Sequence, residues 1–112
     1  MKRYDDQRLQ DVDGAITAIR SHLARGDLSD GLVFDAVRIR LLEIGEAIKA
    51  ITPALLATEP DIPWKNIAAM RNQLAHRYFD TEHAIVSATV AHDLEPLHDA
   101  VRRLQERAAR GS

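Results

Sequence analysis

Apolar residues recur along this chain at alternating steps of three and four, and that spacing restricts the fold more than any other feature. Leu9, Val12, Ile16, Ile19 and Leu23 are separated by 3, 4, 3 and 4 positions. Val90, Leu94, Leu97, Val101, Leu104 and Ala108 continue the same rhythm near the other end, at 4, 3, 4, 3 and 4. Only a helix turns such a spacing into one face. Between them Val37, Leu41, Ile44, Ile48 and Ile51 form a stripe, and Leu32, Ala36 and Ile39 start a second stripe beside it. A helix apolar on two sides must be covered on two sides. It is therefore central to a bundle, or it also faces a second copy of the chain.

The punctuation fits this pattern. Arg25-Gly26-Asp27 interrupts the first helix, and Ser29 or Asp30 can cap the second. Thr52-Pro53 reads as a cap followed by proline at the first helical position, with a short helix over 53–58. Residues 59–63 form a loop, and Pro63 or Trp64 opens a helix that carries Ile67, Met70 and Leu74 inward and runs to about Tyr78. Asp80-Thr81 reads as a turn and cap. Pro96 cannot sit deep in a helix without a kink, so a bend or restart is expected near His92-Asp93. The spacing predicts an all-α fold, a four- to five-helix up-and-down bundle, with residues 1–112 as one unit of that kind. With 17 alanines against 4% aromatics, 5 glycines and 4 prolines, the composition favours helix over sheet.

Several functions are closed off. Without cysteine, a disulfide framework, a thiolate zinc site and a cysteine nucleophile are impossible. No apolar run approaches the roughly 20 residues of a membrane span, and the polar stretch 1–10 is unlike a signal peptide, so a cytoplasmic protein with no membrane partner is expected. Fifteen Lys plus Arg against 17 Asp plus Glu give a net charge of −2. Domains that coat duplex nucleic acid are usually strongly basic. A local site for one stretch of phosphate backbone stays open, and most of the cations are Arg, which suits bidentate phosphate contacts.

The densest chemistry lies in Met70-Arg71-Asn72-Gln73-Leu74-Ala75-His76-Arg77-Tyr78. An imidazole with a pKa near ~6.5 exchanges protons at neutral pH. A guanidinium holds phosphate oxygens as charge builds in a displacement. Together they suit metal-free RNA cleavage, in which the base takes the proton of a ribose 2′-hydroxyl and that oxygen attacks the adjacent phosphorus. DNA, lacking the nucleophile, would be spared. Arg71 and His76 lie five residues apart, about 140° around an ideal helix, and so do not share a face. Asn72 and His76, four apart, do share one, so Asn72 could orient the imidazole. Two copies of this helix across a two-fold axis would bring Arg and His together more easily than one helix alone. From spacing alone the bland alternative stands: Arg71 and Arg77 as solvated cations, His76 closing a helix C-terminus, Tyr78 as an amphipathic edge.

Four linked motifs resemble one family. Arg71-Asn72, then His76-Arg77-Tyr78, matches the R-N-x-x-x-H-x-Y signature of HepT-like HEPN domains, the RNase toxins of HepT–MntA (type VII) toxin–antitoxin pairs. Leu42-Glu43-Ile44-Gly45-Glu46-Ala47 resembles the family's LEIIGEA helix, one Ile short. Ile62-Pro63-Trp64-Lys65-Asn66-Ile67 before Met70-Arg71-Asn72 resembles its P-x-W-x-x-I-x-x-M-R-N segment. Asp93-Leu94-Glu95-Pro96-Leu97 resembles its Asp-Leu/Ile-Pro-x-Leu segment, displaced by one inserted residue. The resemblance spans about 34–97, in the family's order.

The resemblance implies a homodimeric helical RNase with Arg71 and His76 of both copies lining a cleft, Asn72 in support, and Arg77 and Lys65 as RNA contacts. It makes Tyr78 the hydroxyl that an MntA-like nucleotidyltransferase antitoxin modifies with AMP, placing phosphate charge and bulk beside the cleft. Glu46 resembles the family's acidic residue near the site, to pair Arg71 or fix His76; the alternative is an exposed partner of Lys49. No cofactor and no metal is implied. A non-catalytic HEPN module, binding nucleotide or RNA as a dimer beside a nucleotidyltransferase, is the alternative function.

Elsewhere the residues read as structure. His22, His83, His92 and His98 lack the i, i+4 pairing of a helical metal site. Arg102, Arg103, Arg107 and Arg110 read as a solvated face, or as a guide for RNA or an acidic antitoxin. Trp64 reads as a packing anchor. Gly45 inside a helix costs about 1 kcal/mol relative to Ala, so a close helix approach is expected there.

Overall fold

The computed structural model describes residues 3–75 and 79–111, and among them every regular element is helical. The order is α1 (Arg3–Leu23), α2 (Gly31–Lys49), α3 (Pro53–Leu56), α4 (Trp64–Ala75), α5 (Phe79–Ala88) and α6 (Leu94–Gly111), with a π-helical turn over Thr89–Asp93 joining the last two. This is the all-α bundle that the periodicity predicts, five longer helices and the single turn of α3.

The predicted stripes are the core. Leu9, Val12, Ile16 and Ile19 of α1, Val37, Leu41 and Ile44 of α2, Leu74 of α4 and Leu104 of α6 are all fully buried. α2 packs on α1, α4 and α5, and α1 also packs on α6, so α2 is the central helix. The first of its two apolar stripes is covered. The second is not: Leu32 is 83% and Ile39 47% exposed. Among the described residues, Leu32 and Ile39 of that second stripe stay open.

The caps resolve the open alternatives. Asp30 is the cap of α2, its Oδ1 accepting from the amides of Leu32 at 2.9 Å and Val33 at 3.4 Å. Ser29 instead gives both its amide and its hydroxyl to Asp27, whose carboxyl those bonds hold below its ordinary value. Pro53 opens α3 as expected, but α3 ends at Leu56, sooner than the predicted 58, and the Thr52 side chain makes no cap bond. The Thr52 amide donates to the buried Asp5 at 3.0 Å, tying the chain after α2 to the start of α1. The backbone is helical from Phe79, so Asp80 and Thr81 lie inside α5 and do not form the predicted turn.

The restart expected before Pro96 takes the form of the π-helical turn, in which the Leu94 amide reaches back to the Thr89 carbonyl. Pro96 then falls in the first turn of α6, where a missing N–H costs little. The inward residue of this turn is Thr89, not Val90. Its hydroxyl donates to the Ile85 carbonyl at 2.7 Å and also meets Met70 Sδ at 3.4 Å, which satisfies the buried oxygen.

The arginines of α6 are not simply a solvated face. Arg103 Nε and Nη2 reach Glu59 Oε1 at 3.0 and 2.7 Å, and Arg107 Nη1 reaches Glu59 Oε2. Glu59 is buried and lies in the loop after α3, so the pair fastens that loop to α6. Trp64 Nε1 donates to the Glu59 carbonyl at 3.0 Å and closes the same loop, the anchor role its sequence context suggests. The Arg103 hydrogen bond, more than the opposing desolvation, holds the Glu59 carboxyl below its ordinary value. A depressed carboxylate stabilises the fold fully above the unfolded glutamate pKa of about 4.3, and that contribution is lost as pH falls through the lower folded value. Glu59→Gln is therefore expected to reduce unfolding free energy by about 1 kcal/mol at neutral pH, a modest figure because both arginines are solvated. Urea denaturation at pH 7 and pH 3 checks it: the gap between the two proteins should close at the lower pH, and an equal gap at both would contradict the electrostatic account.

His98 is structural. Its ring is buried, with Nε2 2.6 Å from Asp13 Oδ1 and Nδ1 2.7 Å from Arg20 Nη1. A guanidinium can only donate, so Nδ1 accepts and Nε2 carries the proton toward Asp13. The three side chains tie α6 to α1.

Candidate active site

The site grows from the contact between α2 and α4. Gly45 faces α4 so closely that a Cβ there would lie 3.1 Å from the Arg71 amide nitrogen and 3.2 and 3.3 Å from the carbonyl oxygens of Ile67 and Ala68. These are backbone atoms, which cannot swing aside as a side chain can. The close approach expected from a glycine in mid-helix is present, and its neighbour across the contact is Arg71.

One residue beyond Gly45, Glu46 meets that arginine. Arg71 Nε pairs with Glu46 Oε2, and Arg71 Nη1 lies a long 3.4 Å from Asn72 Oδ1. Of the two alternatives for Glu46, pairing with Arg71 is the one observed. Both side chains are about half exposed, 47% for Arg71 and 61% for Glu46. Exposed pairs contribute ~0–1 kcal/mol to stability, so the pair's chief effect is geometric. Glu46 engages the Nε side of the guanidinium, and Nη1 lies beside Asn72.

Arg71, Glu46 and Ala75 lie on the wall of a groove of about 930 Å³ between α1, α2 and α4. The other charged groups along it are also paired. Arg40 Nη1 reaches both Glu43 oxygens at 3.1 and 3.2 Å, and Arg8 Nη2 reaches Asp11 at 3.0 Å. Small residues, Gly14, Ala15, Ala18 and Ala47, contribute to its lining and leave it open.

Lys65 lies elsewhere. It is exposed in the first turn of α4 and lines a separate, mostly apolar groove of about 590 Å³ with Trp64, Ile48 and Pro53. Asn72 is exposed beside Arg71. His76, Arg77 and Tyr78 lie outside the described residues, as the three positions between the end of α4 and the start of α5. Among the described residues no group of three or more His, Asp or Glu could hold a metal ion, and no helix is long and apolar enough to cross a membrane.

Two residues near this corner escaped the sequence reading. Arg38 of α2 is buried, donating from Nε to Glu82 Oε1 of α5 at 3.0 Å and from Nη2 to the Leu74 carbonyl of α4 at 2.6 Å. A signal was present. Arg38 stands four positions after Phe34 and three before Leu41, both on the inward face, and a cation in such a stripe needs a partner. His83, the next residue of α5, stacks on Phe34 with ring centres 5.1 Å apart.

Comparison with known proteins follows the same lines. Residues 12–104 match the HepT-like family, described as ribonuclease HepT-like. The chain is 33% identical over 110 residues to a Thermococcus cleftensis protein named "Probable ribonuclease HepT", an alignment covering 95% of this chain and all of that one. It is 28% identical over 105 residues to the Caldanaerobacter subterraneus subsp. tengcongensis protein "Putative RNase TTE0752", covering 93% of each. No solved structure matches.

Proposed function

The chain belongs to the HepT-like ribonuclease family, and on that premise we propose that it is a metal-independent endoribonuclease, the toxin of a toxin–antitoxin pair. One observation carries the reading: Arg71, at the start of the R-N-x-x-x-H-x-Y signature, lies on a groove wall, half exposed, with its Nε paired to Glu46.

The chemistry follows from the residue types. His76 removes the proton of a ribose 2′-hydroxyl, and the resulting oxygen attacks the neighbouring phosphorus. The bond from phosphorus to the 5′ oxygen breaks, leaving a cyclic 2′,3′-phosphate and a 5′ oxygen that takes up a proton. Arg71 neutralises the charge that gathers on the non-bridging oxygens, through donors already oriented before substrate arrives. Asn72 supports the guanidinium, and Arg77 and Lys65 contact more distant phosphates.

Two copies complete the site. The five-residue spacing of Arg71 and His76 would set them about 140° apart on an ideal helix, and a two-fold axis would supply each with its counterpart from the partner. The uncovered stripe of Leu32 and Ile39 supports a homodimer, since exposed aliphatic side chains at helical spacing favour association. Restraint comes from an MntA-like nucleotidyltransferase. Tyr78 Oη attacks the α-phosphorus of ATP, pyrophosphate leaves, and the tyrosyl AMP places negative charge and bulk beside the arginines that would hold RNA.

The purified protein is expected to cut RNA but not DNA of the same sequence in EDTA. Co-expressed with the nucleotidyltransferase, it should gain the mass of whole AMP units on Tyr78 and lose that activity. Cleavage of DNA, or activity that EDTA abolishes and a divalent metal restores, would refute the mechanism.

A further inference from the structure

Arg38 is a costly charge to keep. Its side chain and that of Glu82 are each only 8% exposed. Burying such a pair removes two ions from water, and their mutual attraction offsets the loss only when the geometry is good and further hydrogen bonds are made. Arg38 makes one: its Nη2 donates to the Leu74 carbonyl at 2.6 Å. That carbonyl belongs to the last turn of α4, where the helix dipole favours a cation. Apolar side chains of similar volume often sustain a fold as well as a buried pair, so stability alone does not account for this one.

Its place in the chain does. Leu74 precedes His76 by two residues, and Glu82 follows Tyr78 by four. A single guanidinium projecting from α2 therefore grips the end of α4 with one nitrogen and the first turns of α5 with another. The three residues between those helices are His76, Arg77 and Tyr78. We propose that Arg38 and Glu82 are positioning residues, a buried clamp that fixes the end of α4 against the start of α5, the two helices that flank His76 and Tyr78 in the chain. The proposal rests on the nuclease reading above for the task of those two side chains, though not for the clamp itself. Directional bonds suit this work. An apolar contact would tolerate sliding, whereas a fork reaching two fixed oxygens sets both distance and angle.

The test compares Arg38→Met/Glu82→Leu, which replaces the pair with apolar groups, with Glu82→Gln, which keeps an oxygen for Arg38 Nε. Turnover of a short RNA, its KM, the melting temperature and the NMR signals of the His76 ring are measured for each. The double variant should stay folded and keep its KM while turnover falls by about 10- to 100-fold, the range expected when reacting groups are misplaced by about 1 Å. Its His76 ring signals should shift or broaden, and Glu82→Gln should restore both signals and most of the turnover. A folded double variant with unchanged turnover and unchanged ring signals would overturn the clamp. Should the double variant fail to fold, Arg38→Lys takes its place: one ammonium cannot reach both oxygens in the same way, so the same loss is expected, and wild-type turnover would overturn the proposal. If the wild-type protein cuts no RNA, the nuclease reading fails by itself. The ring signals then decide the clamp alone, supporting it if they move in the double variant and return in Glu82→Gln, overturning it if they do not move.

Discussion

His76→Ala is expected to lower RNA cleavage by about 10²- to 10⁴-fold, the usual contribution of a positioned proton carrier. The fold is expected to persist without that side chain. Helical circular dichroism and sedimentation should match wild type. The pH profile gives a second readout. With an imidazole as the base, turnover rises with pH through an acid limb and then levels, and the residual activity of the variant should lack that limb. A variant within about tenfold of wild type, with the limb intact, would remove His76 from the reaction.

Arg71→Ala is expected to cost about 10²- to 10³-fold in turnover, the scale measured when one preorganised donor is taken from a developing oxyanion. The loss should fall on kcat more than on KM, since the guanidinium matters most when charge has gathered on phosphorus. Arg71→Lys should recover little. It keeps the charge but loses the fork, in which Glu46 pairs with Nε and leaves the Nη nitrogens to other partners. The melting temperature should stay near wild type in both, because the Arg71–Glu46 pair is half exposed. A large drop in melting temperature with unchanged kcat would make Arg71 a structural residue instead.

Much of the fold could be read from the chain, and the reasons are physical. Local rules govern the parts that were legible. Leu9 to Leu23 lie on one face because the helix period is fixed, Asp30 caps because its oxygen reaches amides two and three residues on, and Pro53 opens a helix because it has no N–H to satisfy. Gly45 was legible for a related reason: glycine is unfavourable in a helix unless a neighbour requires its absent side chain. The sites that stayed hidden depend on partners far along the chain. Arg38 and Glu82 are 44 residues apart, as are Glu59 and Arg103, and no local pattern joins them. The arginines of α6 read as a solvated face because the buried carboxylate they serve lies in a loop with no periodicity. Thr89 was passed over for Val90 because an even step of four presumes a regular ladder. The candidate site divides in the same way. The motif names Arg71, and the family resemblance names Glu46, but the direction of the guanidinium comes only from the packing of α2 on α4.

The π-helical turn over Thr89–Asp93 carries a consequence for how this chain can change in length. Such a turn holds one residue more than the α-helix would use for the same advance. The helices on either side keep their mutual orientation because the surplus is absorbed as a widening of the backbone ring. Shortening the chain by one residue within 89–93 can therefore relax the ring to ordinary α geometry and leave α6 facing α1 as before. The same deletion inside α6 would rotate everything beyond it by about 100° and carry Val101 and Leu104 off the core. Descendants of this sequence thus have, at that ring, a slack link where length can vary while the helices around it stay in phase.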